Sequence, residues 1–257
     1  MRAGADAAAA LLRGGAGTIR VKVCCIASKQ EADLAIAAGA DALGLVSAMP
    51  SGPGPIPETD IASIVRHVGA RAATVLLTSR QDAHGIADQL DRIRPTVVQL
   101  VDELTEREYD VLRASHPEVV LMQVIHVRDA RSVDEAVAVV PYVDAILLDS
   151  GNPTAAVKEL GGTGRVHDWA ISRAIRDAVS LPLFLAGGLG AGNVADAIAA
   201  VRPFGVDVCS GVRVNGRLDH DAAHAFIGAA RAGADTCSTV RASSSTNPTI
   251  DEGRGRR

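Results

Sequence analysis

Between Ile19 and Ala232 the chain repeats one pattern eight times: a short run that is apolar throughout, then a longer amphipathic run. The short runs are 19–26, 42–46, 72–77, 97–101, 119–126, 145–149, 183–186 and 206–210. The intervening stretches, such as Lys29 to Ala38 closing on Gly39, carry helical periodicity and helix-stop residues. A strand that is apolar on both faces must be covered on both, which means a parallel sheet flanked by crossover helices. Eight such units close most naturally into a (β/α)8 TIM barrel, an α/β fold, with right-handed connections. An open doubly wound sheet is the competing architecture. It calls for a glycine fingerprint after the first strand, and Val23-Cys24-Cys25-Ile26 has none.

Composition narrows the function classes. Aromatic residues are only 2% of the chain and the net charge is −4, so there is neither a basic stripe nor a stacking platform for nucleic acid. No stretch approaches 18 uninterrupted apolar residues, so no membrane span is expected. Cys24, Cys25, Cys209 and Cys237 show neither metal-knuckle nor disulfide-framework spacing. The reading is a reduced, cytoplasmic protein with no metal. Residues 1–17, with a short Ala-rich run from Ala7 to Leu12, read as a flexible leader, 18–232 as the barrel, and 233–257 as a disordered tail.

In a barrel of this kind function gathers where the strands end and the βα loops converge. The sixth apolar run ends on one carboxylate, Asp149, followed by a loop with Gly161-Gly162-Thr163-Gly164 ahead of Asp168-Trp169. The last two runs end in Gly187-Gly188 and in Ser210-Gly211, small residues that let backbone N–H groups approach an anion. A phosphorylated small molecule is the expected ligand. Other polar residues at strand ends are Cys24 and Cys25, Ser47, Thr78, Gln99, His126 and Asp207. Adjacent strand residues point to opposite faces, so only one of Cys24 and Cys25 is expected to face the mouth.

Taken in order, Val21-Lys22-Val23-Cys24-Cys25-Ile26, Ala38-Gly39-Ala40-Asp41-Ala42-Leu43-Gly44, Val98-Gln99-Leu100, Leu147-Leu148-Asp149, the Gly161 to Gly164 loop with Asp168-Trp169, Leu185-Ala186-Gly187-Gly188-Leu189 with Asn193-Val194, and Gly205 to Val212 resemble the phosphoribosylanthranilate isomerase family. The resemblance implies a cofactor-free (β/α)8 isomerase of tryptophan biosynthesis, monomeric or homodimeric, that performs an Amadori rearrangement of an aminoaldose phosphate. It further implies that Cys24 is the general base and Asp149 the general acid. Phosphate would be held by Gly161, Gly162, Thr163, Gly164, Gly187, Gly188, Asp207, Ser210 and Gly211.

Two departures from the family pattern fall near the aromatic half of the substrate. Ser51-Gly52-Pro53 lacks the usual arginine, and Val101 stands where histidine is usual. Arg80, Arg165 and Arg213 are candidate replacements, and Lys158 lies in the site loop. The same residues also suit an isomerase of another phosphorylated sugar, or a barrel that binds a phosphorylated ligand without turnover.

Overall fold

The computed structural model describes residues 11–12, 18–151 and 167–244. Its eight parallel strands close into a barrel in chain order: β1 (Arg20–Val23), β2 (Ala42–Val46), β3 (Ala73–Thr78), β4 (Val97–Leu100), β5 (Val120–His126), β6 (Ala145–Asp149), β7 (Leu183–Leu185) and β8 (Gly205–Val208). Helices α1 (Lys29–Ala38), α2 (Glu58–Val68), α3 (Ala83–Ile93), α4 (Glu106–Ser115), α5 (Arg131–Val139), α6 (Trp169–Ala178), α7 (Val194–Val201) and α8 (His220–Ser244) follow the strands. The expected barrel is therefore what forms. No helix among the described residues is long and apolar enough to cross a membrane.

Helix boundaries follow local chemistry. Ser28 caps α1 by accepting from the Glu31 N–H, and Glu31 accepts in return from the Ala27 N–H, a reciprocal capping pair. Gly39 ends the same helix at φ 101°, a conformation that costs a side chain steric energy. Asp82, Thr105 and Asp168 cap α3, α4 and α6.

The period of two along each strand divides the core into two clusters. Ala42, Val46, Val75, Leu77, Met122, Val124, Leu147 and Phe184 fill the barrel interior, whereas Val21, Leu43, Leu45, Leu76, Leu121, Ile146 and Leu148 meet the helices. Truncating any of the larger ones to alanine costs about 2–5 kcal/mol. This parity also decides where polar residues point. Asp149 shares the phase of Ala145 and Leu147, and Asp207 is the β8 register partner of Lys22 on β1. Both carboxylates therefore face inward.

Three boundaries differ from the sequence reading. Leu11, assigned to a flexible leader, is buried in the interior cluster at 2% exposure. The last helix does not stop at Ala232 but continues to Ser244, into the stretch read as a disordered tail. A two-stranded hairpin, β9 (Arg213–Val214) and β10 (Arg217–Leu218), follows a single 3-10 turn at Ser210–Val212 where only a loop was expected.

Candidate active site

At the C-terminal rim, Cys24 and Asp149 line one cavity of about 700 Å³, counting its open mouth. Lining this space with them are Val46, Met49, Leu77 and Val101 as an apolar wall, Gln99 and Asp207 as polar groups, and Gly187, Gly188 and Ser210.

Cys24 follows the last residue of β1 and is 5% exposed. Room for its sulfur comes from a glycine on the next strand: a Cβ on Gly44 would lie 2.6 Å from the Cys24 Sγ and 3.2 Å from the Lys22 Nζ. Beneath it, Lys22 is wholly buried and its Nζ donates to Asp207 Oδ1 at 2.9 Å. Burial opposes the charge on Lys22, but Asp207, with a smaller contribution from Cys24, outweighs it and holds the ammonium above the ordinary lysine range. Burial pushes Asp207 upward while Lys22 pulls it back. The 2.9 Å contact joins two buried groups of opposite formal charge, so each offsets the other's loss of water.

Asp149 ends β6 half-buried, with its Oδ1 accepting from the Ser150 N–H at 2.7 Å. His167, just ahead of α6, lies close enough to feel the Asp149 charge. Burial lowers the His167 pKa and Asp149 partly offsets that.

Beside this cavity two loops interlock. Gly187 and Gly188 have φ of 84° and 63°. Asn193, ahead of α7, accepts from the Gly190 N–H at 2.8 Å and donates to the Gly188 carbonyl at 3.0 Å. Gly211 packs so closely on this loop that a Cβ would overlap the Leu189 carbonyl oxygen. Together Gly188, Gly190, Gly192, Asn193, Ser210 and Gly211 line a recess at the start of α7, where backbone N–H groups and the helix dipole favour an anion.

Compared with known proteins, residues 21–229 match the family described as N-(5'phosphoribosyl)anthranilate (PRA) isomerase. The chain belongs to the phosphoribosylanthranilate isomerase family. It is 37% identical over 214 residues to N-(5'-phosphoribosyl)anthranilate isomerase of Haloferax volcanii, covering 82% of this chain and 93% of that one. Its fold is similar to the phosphoribosyl anthranilate isomerase of Thermotoga maritima, with a TM-score of 0.70, 30% identity, and 84% and 100% of the two chains covered. It is also similar to a phosphoribosyl anthranilate isomerase in complex with reduced 1-(o-carboxyphenylamino)-1-deoxyribulose 5-phosphate, with a TM-score of 0.68, 28% identity, and 84% and 100% covered.

Seen as a phosphoribosylanthranilate isomerase, the chain brings Cys24, Asp149, Asp207, Gly187, Gly188 and Ser210 to one cavity, with Gly211 in the adjoining recess. Gly161, Gly162, Thr163 and Gly164, with Lys158 and Arg165, lie outside the described residues. Ser51, Pro53 and Val101, the departures from the family pattern, do line the cavity; no lysine or arginine does so among the described residues. Arg213 is committed elsewhere: it pairs with Glu31 at 3.2 Å and donates to the Cys24 and Cys25 carbonyls. His126 is not among the residues lining the cavity; its Nε2 donates to the Val101 carbonyl at 2.9 Å. Ser47 and Thr78 are likewise spent on the Leu77 carbonyl and on Gln89.

One expectation is corrected. Cys24 and Cys25 both line the cavity, because the strand ends at Val23 and Cys25 turns to φ 63°, breaking the alternation. One contributor went unrecognised: Lys22, a lone lysine in an apolar run. Asn193, part of the resembling segment, takes the N-cap position of α7 but spends its side chain on the Gly188 and Gly190 backbone instead of on the helix.

Proposed function

We infer that this chain isomerises N-(5'-phosphoribosyl)anthranilate by an Amadori rearrangement, with Asp149 as general acid and Cys24 as general base. The phosphate enters the recess formed by Gly188, Gly190, Ser210 and Gly211 at the start of α7, which places the sugar over the barrel mouth. Asp149 protonates the furanose ring oxygen, the C1–O bond breaks, and the anthranilate nitrogen lone pair forms the iminium. Cys24 then takes the proton from C2, giving an enolamine that tautomerises to the 1-amino-1-deoxyketose. Each positioned proton transfer is worth about 10²–10⁴ in rate.

Lys22 supports this assignment as a buried cation close to the Cys24 sulfur, at the floor of the cavity where the proton is taken. Gln99 has a buried Oε1 without a protein partner, an acceptor available to a sugar hydroxyl. The observation that carries the reading is the shared cavity: Cys24 from β1 and Asp149 from β6 approach one space from different sides, beside a built anion recess.

A second reading, an isomerase of another phosphorylated sugar, draws on the apolar wall where a carboxylate partner is usual. Such a contact is worth about 1.5–3 kcal/mol when charge-assisted. Complementation of a tryptophan auxotroph lacking this isomerase separates the two. Rescue by the wild-type chain, lost with Cys24→Ala and with Asp149→Asn, is expected. Absence of rescue by a folded chain that inorganic phosphate still stabilises would transfer support to the second reading.

A further inference from the structure

Two cysteines that the reaction does not use meet at the rim. The Cys25 and Cys209 sulfurs lie 2.6 Å apart although the residues are 184 positions apart in sequence. Both are free thiols and both line the cavity. Cys25 belongs to the loop leaving β1 and touches the loop after β2, with its Sγ 3.7 Å from the Pro53 carbonyl. Cys209 follows β8 and immediately precedes the turn at Ser210 that enters the anion recess.

We propose that Cys25 and Cys209 form a dithiol modification site that a peroxide converts to a disulfide, tying the first and eighth βα loops together across the edge of the active-site cavity. An S–S bond is about 2.05 Å long, so the sulfurs need move little to form one. The attacking atom is the Cys209 sulfur. The hydrogen bond with Cys25 and the nearby Arg213 guanidinium lower its pKa against the opposing effect of burial, while Cys25 keeps its proton. The Cys209 thiolate attacks one peroxide oxygen, the O–O bond breaks, hydroxide leaves and Cys209 becomes a sulfenic acid. Cys25 then attacks that sulfur and expels water. The dithiol loses two electrons and the peroxide gains them.

The unusual backbone of Cys25 makes this pairing possible. Had the strand continued, parity would have turned its side chain away from β8 and the cavity; at φ 63° it reaches both. Locking this edge would hold Ser210 and its turn against the first loop beside Cys24, and we expect slower turnover. That consequence rests on the proposed function, whereas the bond itself does not.

The test is to treat the full chain with hydrogen peroxide, block remaining thiols with N-ethylmaleimide, and map tryptic peptides by mass. Peptide 23–29 joined to peptide 177–213 is expected in the wild type and in Cys24→Ala, absent in Cys25→Ser and Cys209→Ser, and released by dithiothreitol. The oxidised wild type should turn over at least about tenfold more slowly than its reduced form and recover on reduction. Oxidised Cys209→Ser should stay within about twofold of its own reduced form. A crosslink that persists in Cys25→Ser, sulfinic acid without any crosslink, or Cys209→Ser as peroxide-sensitive as the wild type would each overturn the inference. Should the chain prove inactive toward the substrate, the peptide map alone still decides whether the bond forms.

Discussion

The Lys22 ammonium and the Asp207 carboxylate are register partners on β1 and β8 and meet 2.9 Å apart inside the barrel, directly below the Cys24 thiol. Lys22 has no access to water, and Asp207 reaches only the cavity floor. Lys22→Met should therefore leave a buried, uncompensated carboxylate and cost about 3–5 kcal/mol in urea unfolding, with Lys22→Met/Asp207→Leu less destabilised than the single variant. Since the Lys22 pKa is raised on folding, its stabilising contribution is complete below the ordinary lysine range and is lost only as pH climbs through the folded value. Urea midpoints of wild type and the double variant should thus converge on the alkaline side. Equal stability of Lys22→Met and wild type at pH 7 would refute the charged pair.

Gly44 is the space into which Cys24 fits. Its alanine variant puts a methyl within 2.6 Å of the Cys24 sulfur, so the sulfur must move. Displacement of a reacting group by about 1 Å can cost on the order of 10²-fold. Steady-state kinetics of Gly44→Ala should show that loss mainly in kcat, with KM little changed because the anion recess is untouched. A KM-dominated effect would point to a different role for this edge of the cavity.

Glu31 joins the first helix to the eighth loop: it accepts from the Ala27 and Leu218 N–H groups and pairs with Arg213, which in turn holds the Cys24 and Cys25 carbonyls. Burial works against its charge, yet these donors together hold its pKa below the usual glutamate range. A depressed carboxylate pKa means stability that is present above the unfolded value and lost as pH falls through the folded one. Glu31→Gln should therefore cost about 1–3 kcal/mol at pH 7 and progressively less in acid, below the ordinary glutamate value of 4.5. Thermal melts at neutral and acidic pH measure this directly. A gap that widens in acid would contradict the assignment.

Much of the barrel was legible because its strands are continuous apolar runs with clear stops. Ala42–Val46, Ala145–Asp149 and the helix Lys29–Ala38 have the same limits in sequence and structure. Other features depend on contacts that no local pattern carries. Lys22 reads as an ordinary lysine until its partner, 185 residues away, is brought alongside by barrel closure. Gly233 resembles a helix stop, but within α8 it lets the helix approach α7, where a Cβ would lie 3.0 Å from the Ala195 Cα. The β9–β10 hairpin has a local signal, the Asn215-Gly216 pair, that the expectation of a plain loop passed over. Asn215-Gly216 takes φ of 51° and 78°, the pair of positive values that an Asn-Gly hairpin turn favours. Cys25 escaped because strand parity was carried two residues past the end of β1.

The account stands on a thiol and a carboxyl group acting on one substrate from two walls of the barrel. The most direct measurement is kcat/KM for N-(5'-phosphoribosyl)anthranilate in wild type, Cys24→Ala, Asp149→Asn and the double variant, each checked for native thermal stability. Losses of about 10²–10⁴ in each single variant are predicted, with the double variant far less impaired than the product of the two. Single variants that fold normally and keep rates within about threefold of wild type would contradict it.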